Sequence, residues 1–451
     1  MQNNEFLSGS MRDEEQQALQ AISRALEEAR RQGVSAAEAT VSAGSGLTAT
    51  VRMGDVESIE HRREKALSIT VYRDGRRGSA NTTDLNPKAI TASVGAAAEI
   101  ARHTVADACA GLVEAELMAR EVPDLDLFHP WGLTPEGAVE IAQECEDAAR
   151  AYDPRIRNSE GATVSSFSGT HAYGNSHGFS GSWRRSYGSI GCTVIAQDDQ
   201  GMQRDYWHSA SCHPAGLEDP AQIGIKAARR ALGRLGARKI ETRKVPVLFE
   251  ARIARSVFGH FIAAISGTAL YRKASFLVGH LGKQIFPLHL RIHEQPHLHR
   301  ALGSAPFDGD GVATQVRDIV REGVLRSYVL SGYSARKLGM QTTGNAGGVR
   351  NLTVEPGSSD REALTRHMEQ GFLVTELMGF GVNSVTGDYS RGASGYWVEH
   401  GQIQFPIEEL TIASNLKDMF LGIVAVGNDV DTNANIRTGS LLIENMTVAG
   451  K

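Results

Sequence analysis

The sequence contains few cysteines and few prolines, and its positive and negative charges nearly balance. These features exclude several classes of protein. The 451 residues include four cysteines and 13 prolines. The cysteine spacings match no zinc-binding pattern, and so few cysteines do not form the disulfide framework of a small secreted protein. Lys and Arg number 47 against 52 Asp and Glu, a net charge of −5. This balance argues against the basic surface of a nucleic-acid-binding protein.

Long apolar runs are also missing. No segment approaches the ~18 apolar residues of a membrane-spanning helix, and the polar, acidic N-terminus does not resemble a signal peptide. We therefore predict a cytoplasmic protein with no membrane partner and no direct nucleic-acid partner. Hydrophobic residues make up 41% of the chain, and glycine is abundant at 48 residues. These values predict sizeable cores and many tight turns.

The first part of the chain, residues 1–240, predicts an α/β domain of helices and antiparallel strands. Strand-like runs alternate with helical patterns, which cover residues 12–31, 87–103, 135–151 and 220–235. Gly44 and Gly46 are expected to form a turn. The order helix, strands, helix occurs twice, which is compatible with an internal duplication.

The second part, residues 241–451, predicts a mainly antiparallel β domain. Short alternating or β-branched runs separated by glycine-containing turns dominate this region. Two segments, residues 251–266 and 360–368, are typical of helices. The fold class predicted for the whole chain is therefore α+β.

Residues 293–297 spell H-E-x-x-H, the pattern of zinc proteases. Zinc binding needs this pattern on a helix, because helical geometry brings the histidines at i and i+4 to one face. Pro296 interrupts a helix between the two histidines, and residues 286–292 alternate like a strand. We predict a strand end followed by a turn. The histidines of this region are expected to be solvated, with a metal cluster as the alternative; they are His289, His293, His297 and His299.

Two glycine-containing segments resemble functional loops. Residues 174–178 spell G-x-S-x-G, but the strand-like residues on both sides predict a hairpin turn instead of the nucleophile elbow of a serine hydrolase. Residues 343–348 read T-G-N-A-G-G and lack the lysine of a P-loop. We interpret this second segment as a loop whose backbone approaches another chain or a peptide.

A series of motifs in the second half of the chain resembles the PmbA branch of the TldD/PmbA family, also called TldE. No single motif is specific, but their order is. They cover residues 247–261, 264–267, 275–277, 281–284, 306–311, 333–339 and 343–348. The resemblance extends over nearly the whole chain and is weaker before about residue 155.

The resemblance implies a two-domain protein, α/β followed by β-rich, in a proteolytic heterodimer. It implies that TldD-like members carry a zinc site built from an H-E-x-x-x-H helix and a distant cysteine. The two branches would enclose a cavity for unfolded peptides. The implied roles are maturation of microcin-type peptides and degradation of antitoxins, and an older family name is modulator of DNA gyrase.

The zinc motif is degenerate in this chain. The helix that matches H-E-x-x-x-H starts at His260, but Phe261 replaces the glutamate and Ile265 replaces the second histidine. Every cysteine lies before residue 213, so the cysteine ligand is missing too. A catalytic zinc site needs three protein ligands and a base for its water. We therefore expect no catalytic residue, metal site or cofactor in this chain, and zinc in a TldD-type partner.

The sequence thus predicts a non-catalytic subunit of a TldD/TldE-type zinc protease. We expect it to pair with a TldD-type subunit, to form a homodimer when isolated, and to bind unfolded peptide. Sheet edges in the β domain could take peptide by strand addition. Candidate peptide contacts are Gly344, Asn345, Gly347, Gly348, Tyr389, Ser390 and Arg391.

Two alternatives stay open at this point. The chain could be a metallopeptidase in its own right, using His260 or the cluster from His289 to His299. It could instead regulate DNA gyrase without a peptidase role.

Overall fold

The computed structural model describes residues 2–450, with side chains from Asp13 onward. The helices within this range are α1 (Gln2–Arg31), α2 (Pro87–His103), α3 (Pro135–Ala151), α4 (Pro220–Gly233), α5 (Ala251–Ala264), α6 (Gly267–Tyr271), α7 (Gly332–Lys337), α8 (Arg361–Met368) and α9 (Leu416–Leu421). All six predicted helices are present. The first begins earlier than expected, at Gln2.

The strands alternate with these helices along the whole chain. In the first part they are β1 (Ala36–Arg52), β2 (Asp55–Arg73), β3 (Arg76–Thr82), β4 (Ile156–Asn175), β5 (Ser180–Gln197) and β6 (Met202–Ser211). In the second part they are β7 (Arg243–Phe249), β8 (Ile292–Glu294), β9 (Arg317–Arg321), β10 (Val324–Leu325), β11 (Leu352–Val354), β12 (Gly371–Met378), β13 (Asp388–Glu399), β14 (Gln402–Asn415), β15 (Ile423–Val426), β16 (Ile436–Arg437) and β17 (Leu441–Ala449). The α+β fold class is confirmed.

Three helices of the first part begin with the same local signal. A capping residue is followed by proline at the first helical position, where the missing proline N–H has no helical partner to lose. The caps Asn86, Thr134 and Asp219 accept hydrogen bonds from backbone N–H groups three residues on, at 2.8, 3.1 and 3.0 Å. The local sequence therefore fixes where α2, α3 and α4 start.

The first part is built on one antiparallel sheet of six strands, in the order β3-β2-β1-β4-β5-β6. One core packs α1 and α2 on β1 and β2, and another packs α3 and α4 on β4 and β5. The element order α-β-β-β-α occurs twice, and the two units meet at the β1–β4 pair. Their common origin by duplication stays a prediction.

The turn predicted at Gly44 and Gly46 is wrong, because β1 runs straight through both glycines. The ring of Phe167 on β4 lies across this part of the sheet. A Cβ on Gly44 would stand 2.5 Å from Phe167 Cζ, and a Cβ on Gly46 would stand 2.7 Å from the carbonyl oxygen of Ser166. These glycines make room for a neighbouring strand and are not turn residues.

The second part contains a closed β layer around a large core. Strands β7, β12, β13, β14 and β17 pair in a ring, closed by the β14–β17 pairing, and β15 adds to β17. Both sides of β13 are therefore hydrogen-bonded, to β12 and to β14. The expected peptide addition at a sheet edge has no free edge on this strand. A smaller sheet has the order β10-β9-β8-β11-β16.

Both motif strings have the local structures that the sequence predicts. His293 and Glu294 lie in the short strand β8, so the H-E-x-x-H string is not helical. The G-x-S-x-G string forms the connection between β4 and β5, where Gly178 has a φ of +93°. A serine nucleophile elbow would need a helix after this turn, and a strand follows.

Candidate functional site

Helix α5 carries the position that resembles the zinc motif, and a buried ion pair holds its start. Glu250 is the N-cap residue of α5, and its carboxylate accepts from Arg230 Nη1 of α4 at 2.9 Å. The same guanidinium donates from Nε to Asp205 on β6 at 3.1 Å. Because these groups come from both parts of the chain, the pair ties α5 to the first sheet.

The two residues that replace zinc-motif positions belong to the core. Phe261 and Ile265 are both 0% exposed. The Phe261 ring meets Phe286 and Phe420 edge-on, with centroids 5.1 and 5.8 Å away. Burying a phenylalanine side chain contributes roughly 2–3 kcal/mol to stability. Phe261 and Ile265 therefore pack in the core, and neither side chain can bind a metal.

His260 lies beside Phe261 but contacts different residues. It is half-buried, and its ring meets that of Tyr389 at a centroid distance of 6.0 Å and an angle of 77°. Burial lowers the pKa of His260, and the positive charge of Arg391 lowers it further. The imidazole is consequently neutral at pH 7 and offers one donor and one acceptor.

Tyr389 and Arg391 reach His260 from β13. Residues i and i+2 of a strand point to the same face, and here that face turns toward the core under α5. Tyr389 is 1% exposed and Arg391 is half-buried. Burial raises the pKa of Tyr389 to about 12, against the lowering effect of Arg391, so its hydroxyl keeps its proton.

Three buried polar atoms of this group have no hydrogen-bond partner within the described part of the chain. They are His260 Nε2, Tyr389 Oη and Arg391 Nε. An unpaired buried polar atom costs about 1–3 kcal/mol. Residues 260, 389 and 391, which we call the α5–β13 cluster, therefore form a set of unused polar groups at the degenerate zinc motif.

The residues present do not fit a catalytic zinc ion. The side chains described, 13–450, contain no group of three or more His, Cys, Asp and Glu residues arranged to hold a metal. His260 stands next to an arginine, whose charge disfavours a bound cation. All four cysteines are free thiols, and Cys212 donates to the carbonyl oxygen of Arg300 at 3.1 Å.

The histidines between 289 and 299 do not converge. His289, His297 and His299 are exposed, as expected, but His293 is 3% exposed, so the prediction of a solvated side chain is wrong there. His293 Nε2 pairs with Gln295 at 2.9 Å, and His297 Nε2 pairs with Thr314 at 3.0 Å.

Glu294 of the same string holds the glycine loop, residues 343–348. Its carboxylate accepts from Asn345 Nδ2 at 2.9 Å, from the backbone N–H of Arg350 at 2.7 Å and from Arg317 Nε at 2.8 Å. Asp308 holds the other side, accepting from the backbone N–H of Ala346 at 2.8 Å. Burial and the neighbouring carboxylate of Asp310 raise the pKa of Asp308 to about 7.

The predicted peptide contacts divide into accessible and buried positions. Gly347 and Ser390 are exposed, and Gly348 and Arg391 are half-buried. Gly344, Asn345 and Tyr389 are buried. The structure brings Tyr389 and Arg391 to His260, whereas the glycine loop belongs to the separate network around Glu294.

Sequence reasoning missed the roles of Glu294, Arg317 and Asp308. A signal for Asp308 was present, since an aspartate directly before a glycine, as in residues 306–311, is typical of a turn whose side chain binds backbone N–H groups. Glu294 had no such signal, because its partners lie 23 to 56 residues further along the chain.

A cavity of about 440 Å³ lies where the first sheet meets the second part of the chain. Its carboxyl groups are Glu38, Asp107 and Asp310, and its cation is Arg77. Glu38 accepts from the hydroxyl of Tyr72 at 2.7 Å. Burial raises the pKa of Glu38 in spite of this hydrogen bond.

No helix among residues 2–450 combines the length and the apolar composition that crossing a membrane requires.

Comparison with known proteins gives matches along the chain. Three family models match, for PmbA/TldA metallopeptidase domain 1 (residues 37–101), the central domain (residues 128–235) and the C-terminal domain (residues 242–450). Metalloprotease PmbA of Escherichia coli O157:H7 is 46% identical over 432 residues, which are 96% of each chain.

Solved structures have the same fold. One from Bacteroides thetaiotaomicron, called a modulator of DNA gyrase, has a TM-score of 0.91 and 29% identity, covering 96% of this chain and 98% of its own. TldE of Thermococcus kodakarensis has a TM-score of 0.85 at 19% identity, covering 95% of this chain and 100% of its own. The sequence identity and the matched domains together show that this chain belongs to the PmbA/TldD metallopeptidase family.

Proposed function

We propose that this chain is the non-catalytic subunit of a cytoplasmic TldD/TldE-type zinc protease that processes or degrades unfolded peptides. In this proposal a TldD-type subunit supplies the zinc, and this chain completes the peptide cavity. The observation that carries the proposal is the packing of Phe261 and Ile265, both 0% exposed, where a zinc site needs a glutamate and a histidine.

The rest of the fold supports a role in binding peptide. The glycine loop exposes Gly347, and a charge network around Glu294 and Asp308 fixes the loop's backbone. Exposed Ser390 lies between the two strand residues of the α5–β13 cluster. A rigid frame of this kind presents polar groups to an extended chain at low entropic cost.

A reconstitution assay tests the proposal. The substrate is an unfolded peptide of the microcin-leader or antitoxin class, incubated with this chain alone, with a TldD-type subunit alone and with both. We expect cleavage that a chelator abolishes when both subunits are present, little with the partner alone, and none with this chain alone. The pair containing an H260A variant should still cleave in a chelator-sensitive way, because in this proposal the partner holds the zinc.

Two results would contradict the proposal. Chelator-sensitive cleavage by this chain alone, lost in H260A, would favour the independent metallopeptidase. Equal cleavage by the partner with and without this chain would remove the cavity-completing role. In that case the next assay would measure supercoiling by purified gyrase with and without this chain, because the similar Bacteroides protein is called a modulator of DNA gyrase.

A further inference from the structure

The α5–β13 cluster contains polar groups that the fold itself does not use. His260 Nε2, Tyr389 Oη and Arg391 Nε are each buried, and none has a hydrogen-bond partner in the described chain. Buried polar atoms in folded proteins are paired in the great majority of cases. These three neighbouring atoms therefore need a hydrogen-bond partner that the chain itself does not supply.

The chemistry of these groups defines the ligand. Tyr389 donates through its hydroxyl, Arg391 donates and carries a positive charge, and neutral His260 donates through one ring nitrogen. No carboxylate among residues 13–450 lies within ion-pair distance of Arg391, in contrast to Arg230 and Arg317, which are also half-buried and are paired with glutamates. The complementary group accepts several hydrogen bonds and carries a negative charge, as a carboxylate does.

Parts of the cluster remain accessible from outside the chain. His260 and Arg391 are half-buried, and Ala263, one turn after His260 on α5, is exposed. A Cβ on Gly259 would meet one atom within 4 Å, Ile436 Cδ1 at 4.0 Å, so α5 has space beside His260. A side chain or chain end can therefore reach the accessible parts of His260 and Arg391.

Exposed apolar side chains lie next to β13, since Met378 of β12 pairs with Gly392 and Phe380 follows two residues later. Phe380 is 99% exposed and Met378 is 40% exposed at the end of β12. The backbone N–H of Ser390 donates to Gly381 at 2.7 Å, which holds this loop against β13. An aromatic side chain so exposed is available for contact with an apolar residue of a ligand.

We propose that the α5–β13 cluster binds a carboxylate of the peptide, with Arg391 as the cation and Tyr389 and His260 as hydrogen-bond donors. The degenerate zinc motif has thereby become an anchoring site for substrate. The residue next to the carboxylate is apolar and contacts Phe380. This inference deepens the proposed function and depends on it for the identity of the ligand as a peptide.

Peptide binding to the isolated full-length chain tests the inference without the partner. The probes are fluorescent, unstructured decapeptides that end in leucine, one with a free C-terminal carboxylate and one with a C-terminal amide. Two further amidated peptides carry either glutamate or glutamine at one internal position. Binding is followed by anisotropy at pH 7.

We expect a carboxylate to strengthen binding by roughly tenfold, the size of one charge-assisted contact. A preference for the free acid over the amide identifies the chain end as the source. A preference for glutamate over glutamine identifies a side chain. Equal binding of all four peptides would overturn the proposal and leave bound water as the partner of the three atoms.

Variants separate binding from folding. R391Q and Y389F should each remove most of the carboxylate preference, and Y389F should keep or raise the urea midpoint, because it deletes an unpaired hydroxyl. The matched control R120Q removes one charge from the segment between α2 and α3 and should change nothing. A carboxylate preference that survives both R391Q and Y389F would contradict the assignment.

The reconstituted protease distinguishes this inference from the proposed function. If the amidated and free-acid peptides are cleaved at the same rate and R391Q has no effect, the subunit role stands and the carboxylate site is wrong. If this chain proves dispensable for cleavage, the subunit role is wrong, and the binding measurements alone decide whether the cluster binds carboxylates.

Discussion

The surroundings of His208 on β6 strongly favour the neutral form of its imidazole. Arg252 of α5 donates to its Nδ1, and burial together with that positive charge lowers the pKa of His208 to about 4. In the unfolded chain the imidazole binds a proton near pH 6.5. Between these two values the unfolded state binds more protons, so stability falls as the pH falls from 6.5 toward 4.

Replacing His208 with glutamine should weaken this pH dependence, since an amide oxygen can accept from Arg252 but does not titrate. Urea midpoints measured from pH 8 to pH 4.5 should fall less steeply in H208Q than in the wild type. At pH 8, where the imidazole is neutral in both states, the two proteins should be similar. Parallel curves at every pH would contradict this account of His208.

Asn345 has a structural role that its position in a glycine-rich string conceals. Its amide donates to Glu294 at 2.9 Å and its oxygen accepts from Thr343 at 2.8 Å and from Arg317. N345A leaves buried Glu294 and Arg317 with fewer partners, and we expect a loss of about 1–3 kcal/mol in the free energy of unfolding. A substitution at Gly347, which is exposed in the same loop, should instead change the affinity for peptide.

Single residues also show what the sequence could predict of the site. The lone His260, with Phe261 and Ile265 beside it, is visible locally because the family spacing lies within one helix. The contact of His260 with Tyr389 is not visible in the local sequence, because β13 lies more than 120 residues after α5 in the chain. Tyr389, Ser390 and Arg391 were expected to contact peptide, but the grouping of Tyr389 and Arg391 with His260 depends on the closed β layer.

Elements of the first part pack so closely that glycine is required at some contacts and merely tolerated at others. A Cβ on Gly224 of α4 would stand 2.0 Å from the carbonyl oxygen of Cys145 in α3. The nearest atom to a Cβ on Gly95 of α2 would be Gln32 Nε2, at 3.9 Å. The same substitution should therefore have opposite effects in the two helices.

We expect G224A to destabilise the protein by about 1–3 kcal/mol, because α3 and α4 must separate. G95A should stabilise it by up to about 1 kcal/mol, since alanine is the better helix former. Denaturant unfolding of both variants checks the pair. A stable G224A would show that the two helices can shift apart without cost.

The elements also show where sequence patterns fail. The starts of α2, α3 and α4 follow from cap and proline residues a few positions apart, and those predictions are confirmed. The turn expected at Gly44 and Gly46 is wrong because the reason for those glycines, the Phe167 ring, lies about 120 residues away. Cap, proline and glycine residues predict the ends of helices well. They mislead where a glycine is needed because a residue distant in the sequence packs against it.

The whole molecule combines the family fold with a degenerate zinc motif, in which Phe261 and Ile265 stand at two of the motif's positions. The ion pairs of Arg230 with Asp205 and Glu250 fix α5 against the first sheet. Related chains with a shared fold often pair about a twofold axis, and we propose that the isolated chain pairs with itself. Light scattering of the purified chain should then give twice the mass of one chain, and a heterodimer when a TldD-type subunit is added.

Zinc content is the measurement that tests the central claim most directly. Purified wild-type chain, H260A and the reconstituted pair are dialysed against zinc buffer, and bound metal is counted by mass spectrometry. We predict far less than one zinc per isolated chain, no change in H260A, and about one zinc per heterodimer, carried by the partner. One zinc per isolated chain that H260A loses, or two per heterodimer, would contradict the account.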